Sequence, residues 1–187
     1  MIRLFTAIEI PEDIREELSH LKSSIENARW LSPKNYHLTL TFIGDIDETQ
    51  VERIDTSLLK LSEPNFSLEI TETGFFGHKK DPRILWAGIK HNESLNHLKN
   101  KVDVALDHAK IDFEHRHYTP HITLARMKNA NPAEIGSFME EYNLFHSRKI
   151  EVNRFALYQS HLTNHGSQYE VIKTYPLSPS VDEAVSV

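Results

Sequence analysis

The chain has 187 residues and no cysteine. That absence excludes disulfides, thiolate zinc sites, iron–sulfur clusters and a cysteine nucleophile, and it fits a reducing compartment. Positive charge is scarce as well: 21 Lys and Arg stand against 27 Asp and Glu, a net charge of −6. A long non-specific nucleic-acid footprint needs a basic surface, so the balance argues against one. It leaves room for recognition of one phosphate or one nucleotide end. No apolar run reaches the roughly 18 residues of a bilayer-spanning helix. The opening apolar stretch is broken by Arg3, Glu9 and Pro11 and is too short for a signal peptide. There is no Gly-rich phosphate loop. The expectation is a cytoplasmic, monomeric enzyme or binding protein without a membrane partner. What is present is ordinary for a folded chain, with 39% hydrophobic and 26% charged residues, and one oddity, twelve histidines.

Four segments carry an apolar stripe at a period near 3.6 and predict helices. They run through Ile14, Leu18, Leu21 and Ile25; Val51, Ile54, Leu58 and Leu59; Leu95, Leu98, Val102 and Leu106; and Ile135, Phe138, Met139 and Tyr142. Between them lie β-like runs at 3–9, 38–43, 66–73, 84–89, 122–127, 150–158 and 169–175, with Pro and Gly at the joins. From Pro176 the sequence turns Ser/Pro-rich and acidic, and residues 178–187 are expected to fray.

An internal repeat organises these elements. His37-Leu38-Thr39-Leu40 recurs as His121-Ile122-Thr123-Leu124, an offset of 84. The same offset carries the Val51 helix onto the Ile135 helix, and Phe66 onto Ile150. Upstream, Leu4-Phe5-Thr6-Ala7-Ile8 matches Leu85-Trp86-Ala87-Gly88-Ile89, an offset of 81. Each half, about 1–80 and 81–177, reads strand, helix, strand, helix, strand. A period this long is not a solenoid unit. It predicts an α+β fold of two pseudo-symmetric lobes, each a small, mainly antiparallel sheet packed by helices, with a cleft between them. Residues 1–177 would form one bilobal domain.

On a strand, His37 and Thr39 share one face and Leu38 and Leu40 the other, and the second motif repeats the pattern. The aliphatic face packs inward. The polar face looks at water, a partner or the other lobe. Two imidazoles brought together by a pseudo-two-fold axis can divide acid and base work, because the unperturbed pKa near 6.5 keeps both forms available. The threonine hydroxyls can donate to the non-bridging oxygens of a phosphate. A single His-x-Thr is usually a half-buried polar pair without chemistry. A second copy, where a duplicated core position would stay apolar, favours catalysis.

The motifs resemble those of the two-histidine (2H) phosphoesterases, and within them the LigT-like RNA 2′,3′-cyclic phosphodiesterases, also called 2′-5′ RNA ligases. The matching residues are Arg3 to Ile8, Trp30, Asn35 to Gly44, Gly74-Phe75-Phe76, Leu85-Trp86, Tyr118 to Arg126, Leu157 to Ser160 and Gly166 to Val171. Tyr118 stands where the family often has Phe. The resemblance implies hydrolysis of 2′,3′-cyclic phosphate ends of RNA to 2′-phosphates, without metal or other cofactor. It implies that His37 is the proton donor to O3′, that His121 is the proton acceptor from water, and that Thr39 and Thr123 hold the phosphate oxygens. The reverse direction would join a cyclic end to a 5′-hydroxyl in a 2′-5′ linkage.

Further candidates are open at this level. Arg126 lies five residues after His121, so strict alternation puts it on the opposite face unless a bulge intervenes; phosphate binding and a surface role both remain. Phe42, five after His37, is either core or a platform for a base. Tyr118 either stacks on a base or packs. Lys79, Lys80 and Arg83 make a basic turn that either steers a polyanion or is simply solvated. His115, His117 and His121 have a spacing that could ligate a transition metal, although Pro120 breaks the run and the motif at His37 would go unexplained. His161 and His165 could border the cleft. Two rival functions follow: a non-catalytic nucleotide- or RNA-binding module, and a metal-dependent hydrolase.

Overall fold

The computed structural model describes residues 1–163 and 166–179. Its elements run β1 (Ile2–Glu9), α1 (Glu12–Ser19), β2 (Ala28–Trp30), β3 (His37–Ile46), α2 (Val51–Leu58), β4 (Phe66–Leu68) and β5 (Ile70–His78). They continue with β6 (Asp81–Ile89), α3 (Glu93–His108), β7 (His121–Met127), α4 (Pro132–Tyr142), β8 (Ile150–Val152), β9 (Arg154–Thr163) and β10 (Gly166–Pro176). Side-chain caps start α3 and α4. The Asn92 side chain accepts from the Leu95 amide at 2.9 Å, and the Asn131 side chain accepts from the Ala133 amide at 3.0 Å ahead of Pro132. Along α3, Leu95, Leu98, Val102 and Leu106 are all buried, each worth about 1.5–3 kcal/mol of burial.

The strands form two four-stranded sheets, ordered β10-β9-β1-β3 and β2-β7-β6-β5, and a short pair β4-β8. Every ladder is antiparallel. The α+β architecture with two small sheets is therefore as the repeat predicts. The sheets do not coincide with the sequence halves, however. β5 belongs to the first half yet pairs with β6 of the second, and β9 of the second half returns to pair with β1. Each half gives two strands to the other's sheet, β2 and β5 from the first and β9 and β10 from the second. At the centre, β4 and β8 pair with Ser67 opposite Glu151, and these positions are 84 apart. A segment that meets its own repeat at the equivalent residue lies on a two-fold axis.

The registers correct one expectation. Thr6, Ala7 and Ile8 pair with Thr41, Thr39 and Leu38, while Leu85, Trp86 and Ala87 pair with Ala125, Thr123 and Ile122. The true offset of the first strands is 79, not 81. The two alignments differ by a full strand period, so both put the same faces inward and sequence pattern alone does not separate them. Three other expectations change. α1 ends at Ser19, and Leu21 and Ile25 are buried from the following turns. The runs at 66–73 and 150–158 are each broken into two strands, at Glu69 and Asn153. Of the tail expected to fray, Ser178 has its amide on the Glu63 carbonyl and its carbonyl on the Asn65 amide, at 2.8 and 2.7 Å; residues 180–187 lie outside the described residues.

Gly74 marks a tight approach. A Cβ there would fall 2.1 Å from the Trp86 ring, which crosses the glycine on the neighbouring strand. Gly74→Ala should displace the indole and destabilise the fold by about 1–3 kcal/mol through overpacking, read as a lower denaturant midpoint. An unchanged midpoint would show that the indole is not wedged there.

Candidate active site

The two His-x-Thr strands face one another across the axis, since β3 contacts β7. Both break strand alternation at the same point. In β3, Thr39 pairs with Ala7 and Thr41 with Thr6, leaving Leu40 as an extra residue. In β7, Thr123 pairs with Trp86 and Ala125 with Leu85, leaving Leu124 as the extra. These are β-bulges, and each shifts the phase of the residues that follow. Leu40 and Thr41 are both buried, as are Leu124 and Ala125. The bulge in β3 is tied down by Thr6, whose hydroxyl oxygen accepts from the Thr41 amide at 3.2 Å. Phe42 and Arg126 then emerge on the outer, cleft-facing side. Phe42 is 38% exposed and not a core residue.

Each imidazole is held in the same way. His37 Nδ1 lies 2.7 Å from the Asn35 carbonyl and His121 Nδ1 lies 2.6 Å from the Thr119 carbonyl, both two residues upstream. A carbonyl only accepts, so Nδ1 carries the proton and Nε2 is left as the nitrogen available to a substrate. The surroundings differ. His37 sits against Phe5, Tyr169 and Tyr158, with ring centroids 4.9, 4.8 and 6.1 Å away. His121 meets the edge of Phe76 at 4.7 Å, with Trp86 at 6.4 Å. Burial pushes the His37 imidazolium pKa down to about 4, helped by the charges of His121 and Arg126 and opposed by the Asn35 carbonyl. Burial is also the largest cause lowering His121, with Arg126 adding to it.

Two grooves flank the pair. The first, about 390 Å³, is lined by Phe42, Phe76, Ile84, Tyr118, Thr39 and His121, among others. Here Tyr118 donates its hydroxyl to the Thr39 carbonyl at 3.1 Å, and Lys99 lies over its ring at 5.6 Å. Tyr118 therefore both lines the groove and braces β3. The second groove, about 490 Å³, runs past Arg126, Arg29, Lys34, Trp30 and Tyr169. The grooves are themselves related by the repeat, since Phe42 and Arg126 stand 84 apart.

Thr39, Phe42, Tyr118 and His121 thus share one groove, Arg126 lines the other, and His37 feels the charges of His121 and Arg126, while Thr123 follows His121 on β7 ahead of the bulge. The remaining candidates are placed differently. Arg83 is paired with Asp81 at 2.5 Å, and Lys79 and Lys80 at the β5–β6 turn line neither groove. His161 pairs with Glu170 at 3.1 Å, and His165 lies outside the described residues. His115 packs on Phe113 at 4.2 Å, and among the described residues no three His, Asp or Glu side chains are grouped to hold a metal ion. Sequence reasoning gave no role to Phe5, Tyr158, Tyr169 and Phe76, the aromatic cage of the imidazoles. Their signal was the recurrence of aromatics in the strands that share a sheet with each His-x-Thr strand: β1, β9 and β10 with β3, and β5 with β7.

Matched imidazoles on matched strands, facing one cleft of a bilobal α+β fold, define a two-histidine phosphoesterase architecture. The chain belongs to the LigT-like phosphoesterase family, whose model matches it twice, over residues 8–86 and 89–169. It is 31% identical to an RNA 2′,3′-cyclic phosphodiesterase of Thermotoga maritima over 91% of this chain and 93% of that one. It is likewise 31% identical to an RNA 2′,3′-cyclic phosphodiesterase of Bacillus subtilis, over 93% and 96%. The apo crystal structure of Escherichia coli LigT superposes with a TM-score of 0.77 at 24% identity, covering 95% of this chain and 98% of that one. That last likeness is one of fold.

Histidine NMR checks the electrostatics. His37 should stay neutral, as the Nδ1–H tautomer, until about pH 4. Arg126→Ala removes a positive charge that disfavours the imidazolium, so it should raise the titration midpoints of both His37 and His121. Unmoved midpoints would place the Arg126 charge away from the pair.

Proposed function

We propose that this chain hydrolyses RNA 2′,3′-cyclic phosphate ends to 2′-phosphates by paired-histidine acid–base catalysis. The observation that carries the reading is the matched pair of carbonyl-held imidazoles, which leaves two Nε2 atoms for one substrate. The relatives' names supply the substrate class. Water attacks phosphorus and His121 Nε2 takes its proton. The P–O3′ bond breaks, and His37 Nε2 gives a proton to the departing oxygen. The product carries a 2′-phosphate and a free 3′-hydroxyl, and solvent resets the two protons. Thr39 and Thr123 donate to the non-bridging oxygens, where charge grows in the transition state. Arg126 sits where its charge supports the same anion. Phe42 offers an exposed ring to the terminal base, with Tyr118 behind it in the same groove.

His37 must be protonated to act as the acid, yet in the empty protein burial keeps it neutral until about pH 4. The phosphate anion works in the opposite direction and raises both imidazole pKa values when it binds. The pH profile of kcat/KM, which reports the free enzyme, should therefore be a bell with both limbs below 6.5, and the kcat bell should lie at higher pH. A kcat/KM profile that rises monotonically through pH 5–8 would count against a paired-histidine mechanism when chemistry limits the rate.

Chelator-treated protein given an oligonucleotide with a 2′,3′-cyclic end should release the 2′-phosphate; a 3′-phosphate product sinks the proposed regiochemistry. His37→Ala and His121→Ala should each remove most turnover with little change in stability, and near-native turnover in either refutes the mechanism. Thr39→Ala and Thr123→Ala should cost about 10- to 100-fold each, equivalent to about 1.4–2.7 kcal/mol of transition-state stabilisation.

A further inference from the structure

The larger groove has no part in the chemistry above, apart from Arg126 at its rim. Its walls come from β2, the turn that follows it, β7 and the ends of β9 and β10. Arg29, Lys34 and Arg126 are the charged residues that line it, and among the described residues no carboxylate does. That is unexpected in a chain with more acidic than basic residues. The smaller groove is different: its Lys99 is paired with Asp103 and its Arg116 with Glu114. Among the described residues the larger groove is thus lined by cations and no carboxylate, whereas Glu114 lines the smaller one. The same wall offers Trp30 and Tyr169, and the Tyr169 ring stands edge-on to His37 at 4.8 Å, so the groove opens directly onto the catalytic pair. A volume near 490 Å³ suits a ligand the size of one nucleotide.

The shape of a cyclic-phosphate end fixes what can reach this groove. The phosphate closes the 2′ and 3′ oxygens on one edge of the ribose. The base leaves from C1′ and the 5′ chain from C4′, on opposite sides of the ring. With the phosphate between the histidines and the base over Phe42, the 5′ chain points away from the aromatic groove. We infer that the cationic groove binds the internucleotide phosphate and the penultimate nucleotide of the RNA, with Lys34 as a specificity-determining residue. This rests on the cyclic phosphodiesterase reading and deepens it: the preferred substrate is an oligoribonucleotide end, not a mononucleoside cyclic phosphate. Lys34 touches no reacting atom, so its effect falls on substrates with an internucleotide phosphate.

The test compares adenosine 2′,3′-cyclic phosphate, the diadenosine with the same cyclic end, and that dinucleotide with an uncharged methylphosphonate linkage. The native protein should favour the charged dinucleotide in kcat/KM by about tenfold, equivalent to roughly 1.4 kcal/mol. The neutral linkage and rising salt should each shrink that advantage. Lys34→Glu should abolish the advantage, lowering kcat/KM for the charged dinucleotide far more than for the mononucleoside substrate. Lys60→Glu, the same charge change at a residue lining neither groove, should preserve it. Equal kcat/KM for the mononucleoside and the dinucleotide in the native protein overturns the groove assignment, as does a dinucleotide preference that survives Lys34→Glu. Failure to hydrolyse any of the three substrates would instead overturn the cyclic phosphodiesterase reading, which keeps the two failures apart.

Discussion

The site depends on one departure from regular strand geometry, made twice. A β-strand shows the same face at every second residue. An unbroken β7 would therefore turn Arg126 away from His121, and an unbroken β3 would turn Phe42 away from His37. A single extra residue, Leu40 in one strand and Leu124 in the other, reverses the phase after the threonine. Three functional positions of each motif then share the cleft, while both leucines remain in the core. The hydrophobic demand of those leucines and the polar demand of the site are met on one strand only because the ladder skips there.

Upstream of the bulge, the backbone does a second task. The residue two before each histidine supplies a carbonyl that selects the tautomer and fixes the ring, so the two imidazoles are oriented alike without any acidic side chain behind them. A carboxylate partner would hold a proton on the ring. A neutral carbonyl favours the imidazolium only weakly, so burial in the aromatic surroundings outweighs it and lowers both imidazole pKa values until an anion arrives. The site is thereby poised to gain its catalytic charge from its own substrate.

Much of this was legible in the sequence, for identifiable reasons. The repeated His-x-Thr is local, so its strand placement and inward-facing aliphatics follow from alternation. The helices α3 and α4 were visible in their apolar stripes, and the structure adds Asn92 and Asn131 as the caps that start them. What escaped was decided by long-range pairing. The exchange of β5 and β9 between sheets leaves no trace in periodicity, because an inward-facing residue looks the same whichever sheet it joins. The strand β2, only three residues long, is too short to show a period. The bulges were anticipated only as a condition on Arg126, since two adjacent buried residues read equally well as noise. The helical spacing through Leu21 and Ile25 reported burial correctly and conformation wrongly, because Ser23 and Asn27 turn the chain there, with Asn27 at φ 61°.

The central pairing of Ser67 with Glu151 makes the molecule resemble a symmetric dimer whose subunits are joined by the short turn between β5 and β6. In a true homodimer, whatever stood at position 42 would stand at its mate as well, and both sides of the cleft would be condemned to the same chemistry. Covalent linkage lifts that constraint. Phe42 and Arg126 occupy equivalent posts, one a flat apolar ring and the other a cation. The nearly symmetric pair of imidazoles is thus flanked by unlike neighbours, and under the proposed function an RNA end entering the cleft would meet a handed surface that gives it one direction in which to lie.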